Sequence, residues 1–310
     1  VFFEGAEKKI EIVIAPGQRP LRARGRAYFE KLVHACNASI LSSISNEYCD
    51  AYLLSESSLF VWDDRLLMIT CGTTKLAQSA LMAIEDFGAE NIQSLIFQRK
   101  NEYLANLQHS SFLQDVEELK KHIDGKAMRF GKIHSHHNLI FHLNKPFSPP
   151  ADDTTTELLM YDFAPEVCGF FTRPGLTKAE IRDFMRLPEV MPGFVVDDFV
   201  FEPFGYSLNA LLGDDYLTIH ITPQENSPYI SFETNLNLGA NKSRVMNHLL
   251  EVFKPASFDV ITFNTSNEFD VYKTYNKASN CNGQLSCGYD VEFDYYYKNA
   301  TQEETPFFFD

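Results

Sequence analysis

The chain has 310 residues, 45% of them apolar and 14% aromatic, enough for a substantial core and too apolar for a disordered segment. Lys and Arg total 27 against 42 Asp and Glu, a formal charge of −15 with a pI near 5.0. That balance excludes non-specific attraction to nucleic acid or anionic lipid, both of which need a basic surface.

In chain order, residues 9–15 alternate and predict a strand ending at Pro16-Gly17. Residues 24–36 set Tyr28, Leu32, Val33 and Cys36 at helical spacing. Strands are predicted at 51–54 and 59–62 around a polar tip at 55–58, and again at 65–71. A helix over 75–87, a strand over 92–97 and a charged helix over 112–123 follow, then a hairpin of 128–132 with 138–144. The second half predicts strands at 195–201, 216–222 and 229–234, a helix at 243–253, and strands at 258–264 and 291–297. Residues 146–153 and 173–192 concentrate Pro, Gly and charge and are predicted as loops or a seam. Strand-strand-helix order in both halves predicts an α+β sandwich with helices outside antiparallel sheets. No sequence repeat relates the halves.

No run approaches the roughly 20 apolar residues of a membrane span. The N-terminus lacks an initiator Met, and no basic segment followed by a cleavable apolar one opens it. The six cysteines (Cys36, Cys49, Cys71, Cys168, Cys281, Cys287) are too sparse for a disulfide scaffold and predict free thiols in a reducing cytoplasm. Without a secretion signal, the Asn-x-Ser/Thr triplets at Asn37, Asn241, Asn264 and Asn299 read as chance.

Neither Gly-x-Gly-x-x-Gly nor a Gly-Lys-Ser/Thr phosphate loop occurs. Strand spacing would put His134 and His136 on one face and His137 on the other, and no Cys-x-x-Cys or nearby carboxylate completes a ligand set, so no metal is expected. Cys281 and Cys287 read as two free thiols in a Gly/Asn/Ser loop. Ser55-Glu56-Ser57-Ser58, taken alone, is a hairpin tip. Cys71 stands between a strand end and a helix start, where backbone amides can stabilise an anion. The segments around Ser207 and His220 bracket a hairpin that would turn one toward the other.

Together these segments resemble the eukaryotic-type S-adenosylmethionine decarboxylase family. The resemblance is carried in order by Phe2-Phe3-Glu4-Gly5-x-Glu7-Lys8, Leu54-Ser55-Glu56-Ser57-Ser58-Leu59-Phe60-Val61, Thr70-Cys71-Gly72-Thr73-Thr74, Gly205-Tyr206-Ser207-x-Asn209, Thr218-Ile219-His220-Ile221-Thr222-Pro223 and Ser231-Phe232-Glu233-Thr234-Asn235. It implies one domain over 1–310 with a four-layer αββα sandwich, and self-cleavage between Glu56 and Ser57 into chains 1–56 and 57–310. The cleavage would convert Ser57 into a pyruvoyl cofactor, which binds the amine of S-adenosylmethionine as a Schiff base and accepts electrons as carbon dioxide leaves. The product is the aminopropyl donor of spermidine synthesis.

By the same resemblance His220 is the base for the Ser57 α-proton, Ser207 supports the oxyoxazolidine intermediate, and Cys71 is the proton donor of turnover. Phe3 and Phe201 would sandwich the adenine, Leu54 and Glu56 would line the substrate site, and Glu4 and Glu7 are carboxylates near it. Gln224 stands where the family usually has a ribose-binding Glu, and Phe204 replaces a common Cys. Glu11, Asp153, Glu157 and Glu233 match a buried acidic site that binds putrescine as an activator in animal members. The family's bridging Lys is Ile69 here, while Lys9 is placed to act as a tethered cation. The resemblance admits a homodimer of processed protomers. The alternatives it leaves are a pyruvoyl decarboxylase of a basic amino acid, ornithine or arginine, and an inactive paralogue that activates a partner subunit.

Overall fold

The computed structural model describes residues 3–224 and 226–298; Phe2 and Asn299, singled out in the sequence, lie outside them. The first half runs β1 (Lys8–Ile14), α1 (Arg26–Ala35), β2 (Ile40–Ser45), β3 (Asp50–Leu54), β4 (Ser57–Val61), β5 (Arg65–Thr70), α2 (Leu76–Phe87), β6 (Ile92–Arg99), α3 (Phe112–Leu119), β7 (Gly125–Gly131) and β8 (His137–Leu143). The second runs β9 (Thr155–Phe163), α4 (Pro165–Phe171), α5 (Lys178–Met185), β10 (Val195–Val200), β11 (Tyr206–Leu212), β12 (Asp215–Thr222), β13 (Tyr229–Thr234), α6 (Lys242–Phe253), β14 (Pro255–Phe263), β15 (Tyr275–Gln284) and β16 (Asp290–Lys298).

Each half forms one eight-stranded sheet, ordered β2-β3-β4-β5-β1-β6-β8-β7 and β10-β11-β12-β13-β9-β14-β16-β15. Adding eight to every label of the first order reproduces the second. The halves therefore share one topology, although no sequence repeat announces it.

Alternation sorts the side chains into layers. Ile10, Ile12 and Ile14 of β1 pack with α1, α2 and α3 into one apolar core, through Phe29, Leu32, Ala80 and Val116. In the second half Leu158, Met160, Ile230 and Phe232 do the same with α4, α5 and α6. The sheets then face one another across two smaller apolar clusters, one holding Leu159, Ile261 and Phe263, the other Phe60, Leu67, Ile69 and Tyr216. Polar groups fill the space between these clusters: the Tyr216 hydroxyl donates to Glu233, and Lys9 lies 5.7 Å over the Phe263 ring. The result is the four-layer αββα arrangement, with a polar seam at its centre. Among the described residues no helix is long and apolar enough to cross a membrane.

Several predicted boundaries are corrected. Residues 173–192 are not one loop, because α5 lies within them, opened by a reciprocal capping box between Thr177 and Glu180. The prediction does not include β2, β9, α4, β15 or, except as the hairpin side opposite His220, β11. β9, buried at every position but Asp162, lacks the polar alternation that marks a half-exposed strand. β15 is the opposite case, a polar edge strand, and Cys281 sits on it rather than in a loop. His134 and His136 fall in the β7–β8 turn, so strand spacing does not govern them; His136 Nδ1 instead lies 3.0 Å from Asp259 of β14.

Candidate active site

β3 and β4 are joined by only Ser55 and Glu56, so that Leu54 pairs with Ser57. Buried Leu54 anchors the hairpin in the helix-side core. Ser57 has φ +132°, a backbone conformation that a residue with a Cβ adopts only under strain. The Glu56 carbonyl, whose carbon carries the peptide bond to Ser57, accepts the Cys71 backbone N–H at 3.0 Å, and the Cys71 thiol lies 3.4 Å from the same oxygen. A strained bond with a polarised carbonyl is thus held beside a hydroxyl.

The other half contains a control for this geometry. Gly213 and Asp214 link β11 to β12 with Leu212 opposite Asp215, the same two-residue connection. Asn235, directly after β13 as Cys71 is after β5, has its side-chain amide 3.4 Å from the Asp214 carbonyl. Position 215 carries no hydroxyl, and the positive φ falls on Gly213, which bears it without strain.

His220, on β12, faces Ser57 across the seam. The Ser57 hydroxyl lies 3.1 Å from both ring nitrogens, and Glu7 lies 2.7 Å from Nδ1. Ser231 donates to the same Glu7 oxygen at 2.5 Å. A carboxylate on Nδ1 fixes that nitrogen as the N–H and leaves Nε2 as the basic one. Ser207 is the register partner of His220 on β11. Ser57, Glu7, Ser207 and His220 are all buried.

Cys71 is buried beside them. Burial, reinforced by the charges of Glu56 and Glu7, pushes its thiol pKa well up, so it stays protonated at neutral pH. Its turn is clamped: the Gly72 N–H donates to the Glu4 carbonyl at 2.7 Å, and Lys8 Nζ donates to the Gly72 carbonyl at 3.0 Å. The Glu4 carboxylate accepts the backbone N–H groups of Ala6 and Leu104, and burial raises its pKa more than these bonds lower it. Gly72 has φ +65°, and a Cβ there would sit 2.9 Å from the Phe3 ring and 3.0 Å from Glu56 Oε2. The missing side chain therefore lets Phe3 and Glu56 close over Cys71. Phe201 packs edge-on against Phe199 at 4.9 Å, just after β10, and Gln224 lies just beyond β12; both sit outside the hydrogen-bonded cluster.

Sequence reasoning assigned no role to Ser58, Asn209, Thr218 or Ser231, all of which belong to the cluster. The available signal was alternation, since Thr218 shares a strand face with His220, as Asn209 does with Ser207.

Glu11, Asp153, Glu157 and Glu233 form one buried network with cations of this chain. Lys9 Nζ lies 3.0 Å from Glu157 and 2.7 Å from Glu233, and Lys100 also pairs with Glu157. Arg65 lies 3.1 Å from Glu11 and 2.5 Å from Asp153. Burial pushes Glu157 upward, but Lys100 and Lys9 more than offset it. Burial leaves Glu233 raised to about 7 despite Lys9. Among the described residues no group of His, Cys, Asp and Glu could hold a metal ion, and all six cysteines are free.

Burial also pushes the Glu56 carboxyl up to about 7, with Lys8 opposing it. The folded chain therefore keeps a proton that the unfolded chain releases above about 4.5, and stability is lost as pH rises from there to about 7. Glu233 acts with the same sign. The melting temperature should fall across this window, and Glu56→Gln should remove part of the fall; an unchanged slope would show that Glu56 is already ionised.

The family model for adenosylmethionine decarboxylase matches residues 1–305. Proteins named S-adenosylmethionine decarboxylase proenzyme resemble the chain over most of its length. The one from Dictyostelium discoideum is 34% identical over 83% of this chain and 73% of its own. That from Leishmania donovani is 34% identical over 95% and 79%, and that from Xenopus laevis 33% over 94% and 88%. A solved monomer of Trypanosoma brucei AdoMetDC-delta26 superposes with a TM-score of 0.61 at 26% identity, covering 78% of this chain and 99% of that one.

Proposed function

The chain belongs to the adenosylmethionine decarboxylase family, and we propose that it activates itself by cleaving between Glu56 and Ser57 before it acts on S-adenosylmethionine. As an S-adenosylmethionine decarboxylase it supplies the aminopropyl donor of polyamine biosynthesis. The observation that carries the cleavage reading is the strained Ser57, its hydroxyl 3.1 Å from His220 and the adjoining Glu56 carbonyl bonded to the Cys71 N–H.

The steps balance on these groups. The Ser57 oxygen attacks the Glu56 carbonyl carbon, His220 takes the hydroxyl proton, and Cys71 N–H and Ser207 stabilise the oxyanion. The C–N bond then breaks, the Ser57 nitrogen regains a proton, and an ester joins Glu56 to the Ser57 side chain. His220, neutral again once it has returned its proton to that nitrogen, takes the Ser57 α-proton, and Glu56 is expelled as a free carboxylate, leaving a dehydroalanine. Its imine tautomer adds water and loses ammonia, so residue 57 becomes a pyruvoyl group.

The site fits that group: Ser57 is its source, and the pocket around it is buried. Once formed, it supplies a carbonyl for the substrate amine and an electron sink for the departing carboxylate. The other side chains prepare the pocket. Cys71, kept as a thiol by burial, holds the proton that replaces carbon dioxide on the substrate. Phe3, resting on Gly72, offers a ring face to the adenine and the sulfonium, with Phe201 as the second face. Glu56 lines the wall, with Leu54 behind it in the helix-side core; Glu4 and Glu7 hold the loop and the base, and Gln224 hydrogen-bonds the ribose.

The acidic site is read as neutralised from within. Lys9, Lys100 and Arg65 stand where a bound diamine would otherwise be needed, so cleavage and turnover proceed without putrescine.

Intact mass under denaturing conditions tests the cleavage. Fragments 1–56 and 57–310 are expected, the larger lighter by one ammonia than a Ser-started chain. A single uncut chain would overturn the reading.

A further inference from the structure

The cluster beyond His220 has a property that the cleavage steps leave unused. Ser58 Oγ lies 2.8 Å from His220 Nε2 and 2.5 Å from Asn209 Oδ1. Thr218 Oγ1 lies 3.1 Å from each of the same two atoms. The two hydroxyls lie 3.3 Å from each other, so each has one proton and three partners. Asn209 is fully buried, and its Nδ2 has no hydrogen-bond partner among the described residues, so its contacts in this cluster run through the one oxygen.

Resting on the cleavage reading above, we propose that Asn209, acting through Ser58 and Thr218, is a positioning residue that lets His220 change protonation state without leaving a buried group unpaired. With Nδ1–H held by Glu7, neutral His220 needs a donor at Nε2, and a hydroxyl of Ser57, Ser58 or Thr218 supplies it. Once His220 takes the proton of Ser57, Nε2 becomes a donor itself. The hydroxyls must then accept from it, and their own protons turn to Asn209 Oδ1. The amide oxygen is the place where those protons rest while the imidazole is charged. Without it, one hydroxyl can still donate to the other, but the second proton would be buried with no acceptor, at a cost comparable to a lost hydrogen bond in a dry site.

This arrangement predicts an order of variants opposite to that of a packing role. Were Asn209 only filler, apolar Asn209→Leu would be tolerated and Asn209→Asp, a buried charge, would be the worse of the two. As an acceptor that supports a charged imidazole, Asp should self-cleave faster than Leu, and Leu should be slowed about 10- to 100-fold, the loss of one or two charge-assisted bonds. The decisive measurement is a cycle of self-cleavage half-times by gel and intact mass. Asn209→Leu is placed both in the otherwise unaltered chain and in Ser58→Ala/Thr218→Val, where no hydroxyl remains to be served. Its effect should disappear in the second background. An undiminished effect there, or Leu cleaving as fast as Asn, would overturn the relay. Failure of the unaltered chain to cleave would instead overturn the cleavage reading. Near-isosteric Thr218→Val alone, with an expected slowing of a few-fold, keeps the relay testable if the multiple variant does not fold; an unchanged rate in it would count against the relay.

Discussion

Ser57→Ala leaves a single uncut chain with no measurable release of carbon dioxide. Alanine fits the short hairpin but has no oxygen to attack the Glu56 carbonyl and no leaving group to eliminate, so both cleavage and cofactor formation stop at the first step. Loss of the base has a graded effect. His220→Ala keeps the strained turn and the carbonyl bonded to Cys71, and should slow the appearance of fragments by about 10²–10⁴-fold, the usual contribution of a positioned base. The β11–β12 hairpin supplies the control within the same molecule. Its Asp214–Asp215 bond sits in the same register and its carbonyl also meets a side-chain donor, yet no fragment ending at 214 should appear, because Asp215 offers no hydroxyl. Fragments from the Ser57→Ala chain, or a cut at 214, would show that the backbone rather than the hydroxyl drives cleavage.

Lys9→Ala should be the most destabilising of the single changes considered. Lys9 is the cation shared by Glu157 and Glu233, and its removal leaves Glu233, among the described residues, with only the Tyr216 hydroxyl. Burial would favour deprotonated Lys9, but Glu157 and Glu233 hold it firmly charged, so the pair is an ionic one. Removing one member of a buried ion pair costs about 3–5 kcal/mol. At roughly 2–4 °C per kcal/mol for a large domain, the melting temperature should fall by about 6–20 °C. The space vacated is that of a primary ammonium between carboxylates. Putrescine should therefore raise the melting temperature of Lys9→Ala and quicken its cleavage while leaving the unaltered chain unchanged. Acceleration of the unaltered chain by putrescine would show that the acidic site still takes a diamine; an unshifted melting temperature in Lys9→Ala would show that the ion pairs do not hold the sheets together.

Strand alternation, the hairpin around 55–58, the Thr-Cys-Gly turn and the opposition of Ser207 and His220 are all local, and the sequence alone determined them. Each depends on residues a few positions apart or on one tight connection, where propensity and periodicity act directly. The motifs likewise named Glu56 and Ser57 as the bond to watch. β9 and β15 escaped because burial on both faces, or exposure at an edge, erases the half-buried pattern. What only the tertiary structure decided is which of these local pieces meet. Ser57 and His220 are 163 residues apart, and Glu7 and His220 are 213 apart. Their contact arises because two sheets of one topology turn their polar faces toward each other. The same packing gave Lys9 its two carboxylates and joined Ser58 to Asn209. Such pairings follow from the register and stacking of whole sheets, which no periodicity within a single strand encodes.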